Sequence, residues 1–155
     1  MSSPEGDARI FVDTSAYYAA VDRRDASHAA VAATMRELFA ERRRLITSNA
    51  VLFELHGLLL NRLGRRVALE TLSELRVSQT IVRVRERDET RAEEILSRYE
   101  DKDFSLTDAL SFAVMERLGI GAALTLDRHF AQFGWRIIPF AEAGQGAGRG
   151  DGDDR

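Results

Sequence analysis

Between Arg9 and Phe140, short apolar runs of β type alternate with longer segments whose apolar residues recur at helical spacing. The order is RIFVD, a helix around Ser27 to Arg43, RLITSN, then AVLFELHGLLLNRL, and a helix near Arg66 to Arg76. TIVRV follows, then a helix from Thr90 to Tyr99, LTDALSFAVMERLG, AALTL, a short turn DRHFAQFG, and WRIIPF. Strands alternating with helices predict an α/β class built from βαβ units, with a parallel sheet sandwiched between helices. Ser105 reads as the N-cap of one helix and Gly119, after Leu118, as its stop. Open parallel sheets bind ligands in the crevice at the carboxyl ends of their strands, which makes the residues just after each strand the ones to inspect.

At 155 residues the chain suits one domain that needs no disulfide or metal staple, and it contains no cysteine to make a disulfide or a thiolate metal site. The 45% apolar content with near-balanced charge describes a globular protein, and the longest apolar runs are far too short to span a bilayer. MSSPEGDAR has no apolar core of a signal peptide, so a cytoplasmic location is the expectation. Residues 1–8 are expected to be a flexible N-terminus, residues 9–140 the folded domain, and residues 141–155, Gly-rich and acidic, a disordered tail. The net charge of −3 excludes a basic coat for nucleic acid.

Two aspartates stand where strands finish: Asp13 behind Ile10-Phe11-Val12, and Asp127 behind the run Ala122 to Leu126. Each has two readings, a cap on the next helix or a ligand at the sheet edge. Glu54 lies at i+3 from Val51 and i−4 from Leu58, which assigns it to the inward stripe of its helix, where an acid must be paired or must hold a cation. Asp108 shares a stripe with Ser105, Phe112 and Met115, and with Ser105 it also fits an acidic capping box. Four carboxylates converging on one sheet edge repel one another, and divalent cations resolve that repulsion. An all-oxygen donor set selects Mg²⁺ or Mn²⁺. Carboxylate-bound ions of this kind promote in-line attack of water on a phosphodiester, which makes hydrolysis of nucleic acid the leading chemistry.

The pieces FVDTSAYYA, ITSNAVLFEL, DKDFSLTDALSFAVMERLGI, ALTLDRHFAQFG and the closing IIP resemble, in order and context, the PIN-domain ribonuclease toxins of VapBC toxin–antitoxin systems. That resemblance spans almost all of residues 9–140 and implies a three-layer α/β/α PIN-like fold with a central, mainly parallel sheet. It further implies an acidic quartet of Asp13, Glu54, Asp108 and Asp127, serving as both catalytic and metal-holding residues for one or two Mg²⁺ or Mn²⁺ ions. Thr14, Ser15, Asn49, Ser105 and Thr107 are the polar residues that, by position, help to hold water, metal or phosphate, and Asp103 either joins the site or stabilises its loop. The implied protein is a metal-dependent endoribonuclease, the toxin of a type II system, often a homodimer and held inactive by a cognate antitoxin.

Other readings fare worse. A haloacid-dehalogenase-type phosphatase needs an acid two residues after its first aspartate, where Ser15 stands, and a receiver domain needs a lysine near its last strands, whereas Lys102 comes earlier. No Gly-rich P-loop is present. A flap-endonuclease type needs extra helices for which this length leaves no room. The alternative from another class is a catalytically silent PIN-like module that binds RNA or protein, which is expected to have lost acids that this chain keeps. The clusters Arg42-Arg43-Arg44 and Arg62, Arg65, Arg66 read as solvated helix ends, with an RNA rail as the minority reading; His129 follows Asp127 closely enough to line the groove, with a structural or surface role as the leading reading.

Overall fold

The computed structural model describes residues 8–142. Among the described residues the chain forms β1 (Arg9–Val12), α1 (Thr14–Val21), α2 (His28–Ala40), β2 (Arg44–Ser48), α3 (Asn49–Leu63) and α4 (Arg65–Ser78). It continues through β3 (Thr80–Val82), α5 (Glu86–Arg98), α6 (Leu106–Leu118), β4 (Ala122–Leu124), α7 (Arg128–Phe133) and β5 (Arg136–Ile137). The sheet has the order β3-β2-β1-β4-β5, and every pairing is parallel, so the expected three-layer α/β/α architecture has a wholly parallel sheet. The chain winds outward from β1 to β3, then returns to the other side of β1 for β4 and β5. Right-handed crossovers running in opposite directions cover opposite faces of the sheet, which gives the helix layers on both sides.

β1 is the central strand, and Ile10, Phe11 and Val12 are completely buried, as a strand covered on both faces requires. α6 is nearly as buried, with Ala109, Phe112, Val114 and Met115 all inaccessible. An aromatic cluster packs beneath the sheet edge: Phe112 stacks on Phe133 at 4.5 Å and meets Phe130 edge-on at 5.0 Å, while Phe104 meets Phe112 edge-on at 5.3 Å.

Two helices escape the periodic signal. α1 follows Asp13 at once, where no helix is expected before Ser27, because Thr14, Ala16, Tyr17 and Ala19 are all buried and leave little polar face to mark a period. α7 replaces the expected turn and has six residues, fewer than two helical turns. α5 begins at Glu86, four residues before the expected Thr90: the Asp88 side chain accepts the Arg85 N–H at 2.8 Å, and Glu86, Asp88 and Glu89 favour the positive end of the helix. β3 and β5 occupy only part of TIVRV and WRIIPF. The expectations for the two termini lie almost wholly outside the described residues, although Ala141 still donates its N–H to Thr34 Oγ1 at 2.8 Å.

Candidate active site

The strand order reverses between β1 and β4, which makes the crevice beyond their carboxyl ends the topological switch point of the sheet. Val12 is in register with Leu124, and the Asp13 N–H continues the ladder to the Leu124 carbonyl at 3.1 Å. The next residues on the two strands, Asp13 and Thr125, are therefore neighbours across the switch point.

Asp13 is 3% exposed and caps α1. Its Oδ2 accepts the Ser15 hydroxyl at 2.9 Å and the Thr125 hydroxyl at 3.0 Å. Ser15 Oγ in turn accepts the Leu126 N–H at 2.9 Å, and Thr125 Oγ1 accepts the Asp127 N–H at 2.9 Å. These two hydroxyls tie the ends of β1 and β4 together through one carboxylate. Burial is the main force on that carboxyl and raises it, hydrogen bonds from Ser15, Thr125 and the Thr14 backbone oppose the rise, and the nearby charge of Asp108 adds to it; the result is a pKa pushed up to about 6. Thr14 Oγ1 is buried beside this group with no hydrogen-bond partner among the described residues.

Asp108 is 6% exposed at the third position of α6. The capping box expected from the sequence is present: Asp108 Oδ2 accepts the Ser105 N–H at 3.0 Å, and Ser105 Oγ accepts the Asp108 N–H at 3.0 Å. The same Oδ2 lies 2.8 Å from His129 Nδ1. Capping and site membership are thus not alternatives for Asp108, since one oxygen serves both. Asp127, half-buried, caps α7 by accepting the His129 N–H at 2.9 Å, and its Oδ1 lies 3.3 Å from His129 Nδ1.

Asp108, Asp127 and His129 each offer a ligand atom within 4.8 Å of the others. With Asp13 adjoining, the donor set is rich in hard oxygen, carries excess negative charge and includes a carboxylate held largely out of water. That chemistry fits a divalent cation.

Glu54 requires a correction. Its side chain is exposed and not on the inward stripe of α3, and it forms no hydrogen bond or ion pair among the described residues. The buried face of α3 is Val51, Leu52, Leu55 and Leu59, with Leu58 only half-buried, so the true stripe is centred away from Glu54. Of the secondary residues, Asn49 is engaged in structure, its side-chain oxygen accepting the Val84 N–H at 2.8 Å, while Ser105 is exposed and Thr107 half-exposed at the start of α6. Asp103 is exposed on the preceding loop.

Sequence reasoning missed Thr125 and undervalued His129. Both lie in the short stretch TLDRH beside a strand-end acid, but their contacts with Asp13 and Asp108 arise only from the packing of β4 against β1 and of α7 against α6.

Residues 10–136 match the family model described as PIN domain. The chain is 38% identical over 130 residues to the 23S rRNA-specific endonuclease VapC20 of Mycobacterium tuberculosis, a match covering 81% of this chain and 95% of that one. The crystal structure of M. tuberculosis VapC20, described as a sarcin–ricin loop cleaving toxin, superposes with a TM-score of 0.73 at 35% identity over 81% of this chain and 95% of the other. VapBC2 from Rickettsia felis, solved bound to a DNA fragment from its promoter, shares the fold with a TM-score of 0.67 at 14% identity over 86% and 99% of the two chains. With the strand-end acids in place and the match running through nearly the whole folded region, the chain belongs to the PIN-domain family, in its VapC branch.

Proposed function

We propose that this protein is a metal-dependent endoribonuclease acting as the toxin of a VapBC pair, with a structured loop of 23S rRNA as its target. The observation that carries the reading is the meeting of Asp13, Asp108 and Asp127 at the sheet's switch point, in a chain 38% identical to a 23S rRNA-specific endonuclease. Asp108, Asp127 and His129, with Asp13 beside them, supply donors for Mg²⁺ or Mn²⁺, and Glu54, exposed on α3, enters this reading only as the fourth acid that the family resemblance implies. When bound, such an ion brings positive charge to the scissile phosphate and activates water for attack.

The chain's own contribution is positioning. Ser15 and Thr125 fix the rotamer of Asp13, the Ser105 cap fixes Asp108, and the first turn of α7 fixes Asp127. The carboxylates are thereby set before substrate arrives, which lowers the reorganisation needed during the reaction. In-line displacement by water expels the 3′ oxygen of one nucleotide and leaves a phosphate on the next.

A homodimer and a cognate antitoxin complete the reading. Phe39 and Val77 are 82% and 90% exposed, large apolar groups that a partner surface would cover. The test is cleavage of 23S rRNA and of a mixed pool of structured RNAs with Mg²⁺, with Mn²⁺ and with EDTA, alongside Asp13→Asn and Asp108→Asn. Cutting that needs metal and is lost in both variants supports the nuclease; metal binding with no cutting of any RNA transfers the weight to a silent binding module.

A further inference from the structure

The carboxyl edge of the sheet carries a second concave surface, away from the acidic cluster. The register that pairs Phe11 with Ile46 sets Asp13, at the end of β1, level with Ser48 at the end of β2, and Ser48 pairs with Val82 at the end of β3. Adjacent strands lie about 4.8 Å apart, so the end of β3 is about 10 Å from Asp13. Beyond β2 and β3 lies a cleft of about 180 Å³ lined by Asn49, Phe53, Arg76, Ile81 and Arg83. It adjoins a second cleft of about 270 Å³ between α3 and α4, with which it shares Phe53 and Arg76.

The lining of this surface has the chemistry of a nucleic-acid site. Phe53 is 66% exposed, an aromatic ring left in water while Leu52 and Leu55 on the same helix are buried. Arg76, in the last turn of α4, and Arg83, directly after β3, are exposed, and neither side chain forms a hydrogen bond or ion pair among the described residues. Asn49 stands one turn before Phe53 on α3, and its oxygen accepts the Val84 N–H at 2.8 Å, which leaves its NH₂ group to donate. A cation at a helix end accounts for Arg76 alone, but not for Arg83 or for the ring lining the same cleft. An apolar partner helix would cover Phe53 at the cost of burying two unpaired charges. Single-stranded nucleic acid uses both, because its bases stack on aromatic rings while cations track its backbone.

We propose that Phe53, Arg76 and Arg83 form a subsite for an unpaired nucleotide of the RNA substrate, with its base stacked on Phe53 and the adjoining phosphates held by the two arginines. The proposal rests on the ribonuclease reading and deepens it, since it names a part of the substrate that is bound away from the metal centre. At a rise of about 3.4 Å per nucleotide, the distance of about 10 Å from Asp13 corresponds to about three nucleotides. Loops present unstacked bases and stems do not, so the subsite selects an RNA loop over a duplex. In a chain of net charge −3, two local cations supply the backbone contact that a basic coat would otherwise give.

The experiment is fluorescence anisotropy with a labelled RNA hairpin carrying an unpaired loop, over a salt series in Mn²⁺, on full-length protein in the Asp13→Asn background. Phe53→Leu, Phe53→Trp, Arg76→Ala and Arg83→Ala are added to that background, and cleavage of the structured RNA pool by otherwise unaltered protein runs alongside. Phe53→Leu is expected to weaken binding about 5- to 100-fold, whereas Phe53→Trp, which keeps a stacking face, stays within about threefold. Each arginine variant is expected to lower the slope of log K against log salt by about 0.7, a readout that a purely structural role would not move. All three positions are exposed, and thermal melts check that the variants remain folded. Hairpin binding with the same affinity and salt slope in every variant, while unaltered protein still cuts RNA, overturns the subsite, leaves the nuclease standing and assigns the cleft to a protein partner. RNA neither bound nor cut by unaltered protein sinks the ribonuclease reading and the subsite with it.

Discussion

Asp13 occupies a place where ionisation is costly, and its carboxyl is accordingly pushed up to about 6 by burial, with hydrogen bonds from Ser15 and Thr125 limiting the rise. The folded-state value lies above the ordinary aspartate value of about 3.9, so the folded protein holds this proton more tightly than the unfolded chain does. Stability is therefore lost as pH climbs from about 4 to about 6, and above that range the loss is constant at about 3 kcal/mol. Urea unfolding of metal-free protein at pH 4.5 and 7.5 should show this loss. Asp13→Asn should remove it, gain about 1–3 kcal/mol at neutral pH and abolish RNA cleavage; equal pH slopes in the two proteins would count against the account. Thr125→Val deletes a donor to the ionised carboxylate. It should move the acid limb of the pH–rate profile upward, and an unmoved limb would show that the hydroxyl does not tune Asp13. At this scale the sequence identified the strand-end acids correctly, because a carboxylate after an apolar run is visible as such. Glu54 misled it: helical spacing places a residue near a stripe, but whether a long side chain at the margin turns in or out depends on the neighbouring layer.

At the scale of elements, one buried ion pair joins three segments. Arg117 at the end of α6 donates through Nε and Nη2 to the two oxygens of Asp88, at 2.8 and 2.9 Å, and also reaches the Arg83 carbonyl after β3 at 3.2 Å. Burial opposes the charge on Asp88, but the Arg117 hydrogen bonds and the Arg85 N–H outweigh it and hold that carboxyl below the usual range. Since α6 carries Asp108, this clamp sets the position of that helix from its far end. Arg117→Ala leaves Asp88 buried and unpaired and should cost about 2–3 kcal/mol, somewhat below a fully dry pair because Arg117 is 12% exposed. Thermal melts of Arg117→Ala and Asp88→Asn would measure it, and a change under 0.5 kcal/mol, about the scatter of surface substitutions, would refute the clamp. The α6 boundaries were legible because Ser105 and Gly119 are local signals; Gly119 adopts φ 67°, the left-handed conformation a helix stop needs. α1 was not legible, because a helix buried on most sides has no period to read.

For the whole molecule, cation binding to the folded state alone should raise stability by mass action. At a concentration a hundred times its Kd, Mn²⁺ should add about 2.7 kcal/mol, reversed by EDTA and absent in Asp108→Asn. Thermal shift across a Mn²⁺ series checks this, and a flat series would remove the cation from the site. Sedimentation at micromolar protein should show a species of twice the 17.4 kDa chain; a mass of 17.4 kDa alone would argue against the dimer. Among the described residues no helix is long and apolar enough to cross a membrane.

The sequence by itself determined the alternation of strands and helices, the parallel class of the sheet and the acids at its strand ends, because each is written in nearest-neighbour patterns of apolar period and punctuation. Tertiary structure decided which groups meet. The reversal of strand order between β1 and β4 brings Thr125 onto Asp13 across 112 residues of chain, and the seating of α7 beside α6 brings His129 between Asp108 and Asp127. Such contacts depend on how layers pack through the aromatic cluster beneath them, and no local pattern in TLDRHF encodes that packing.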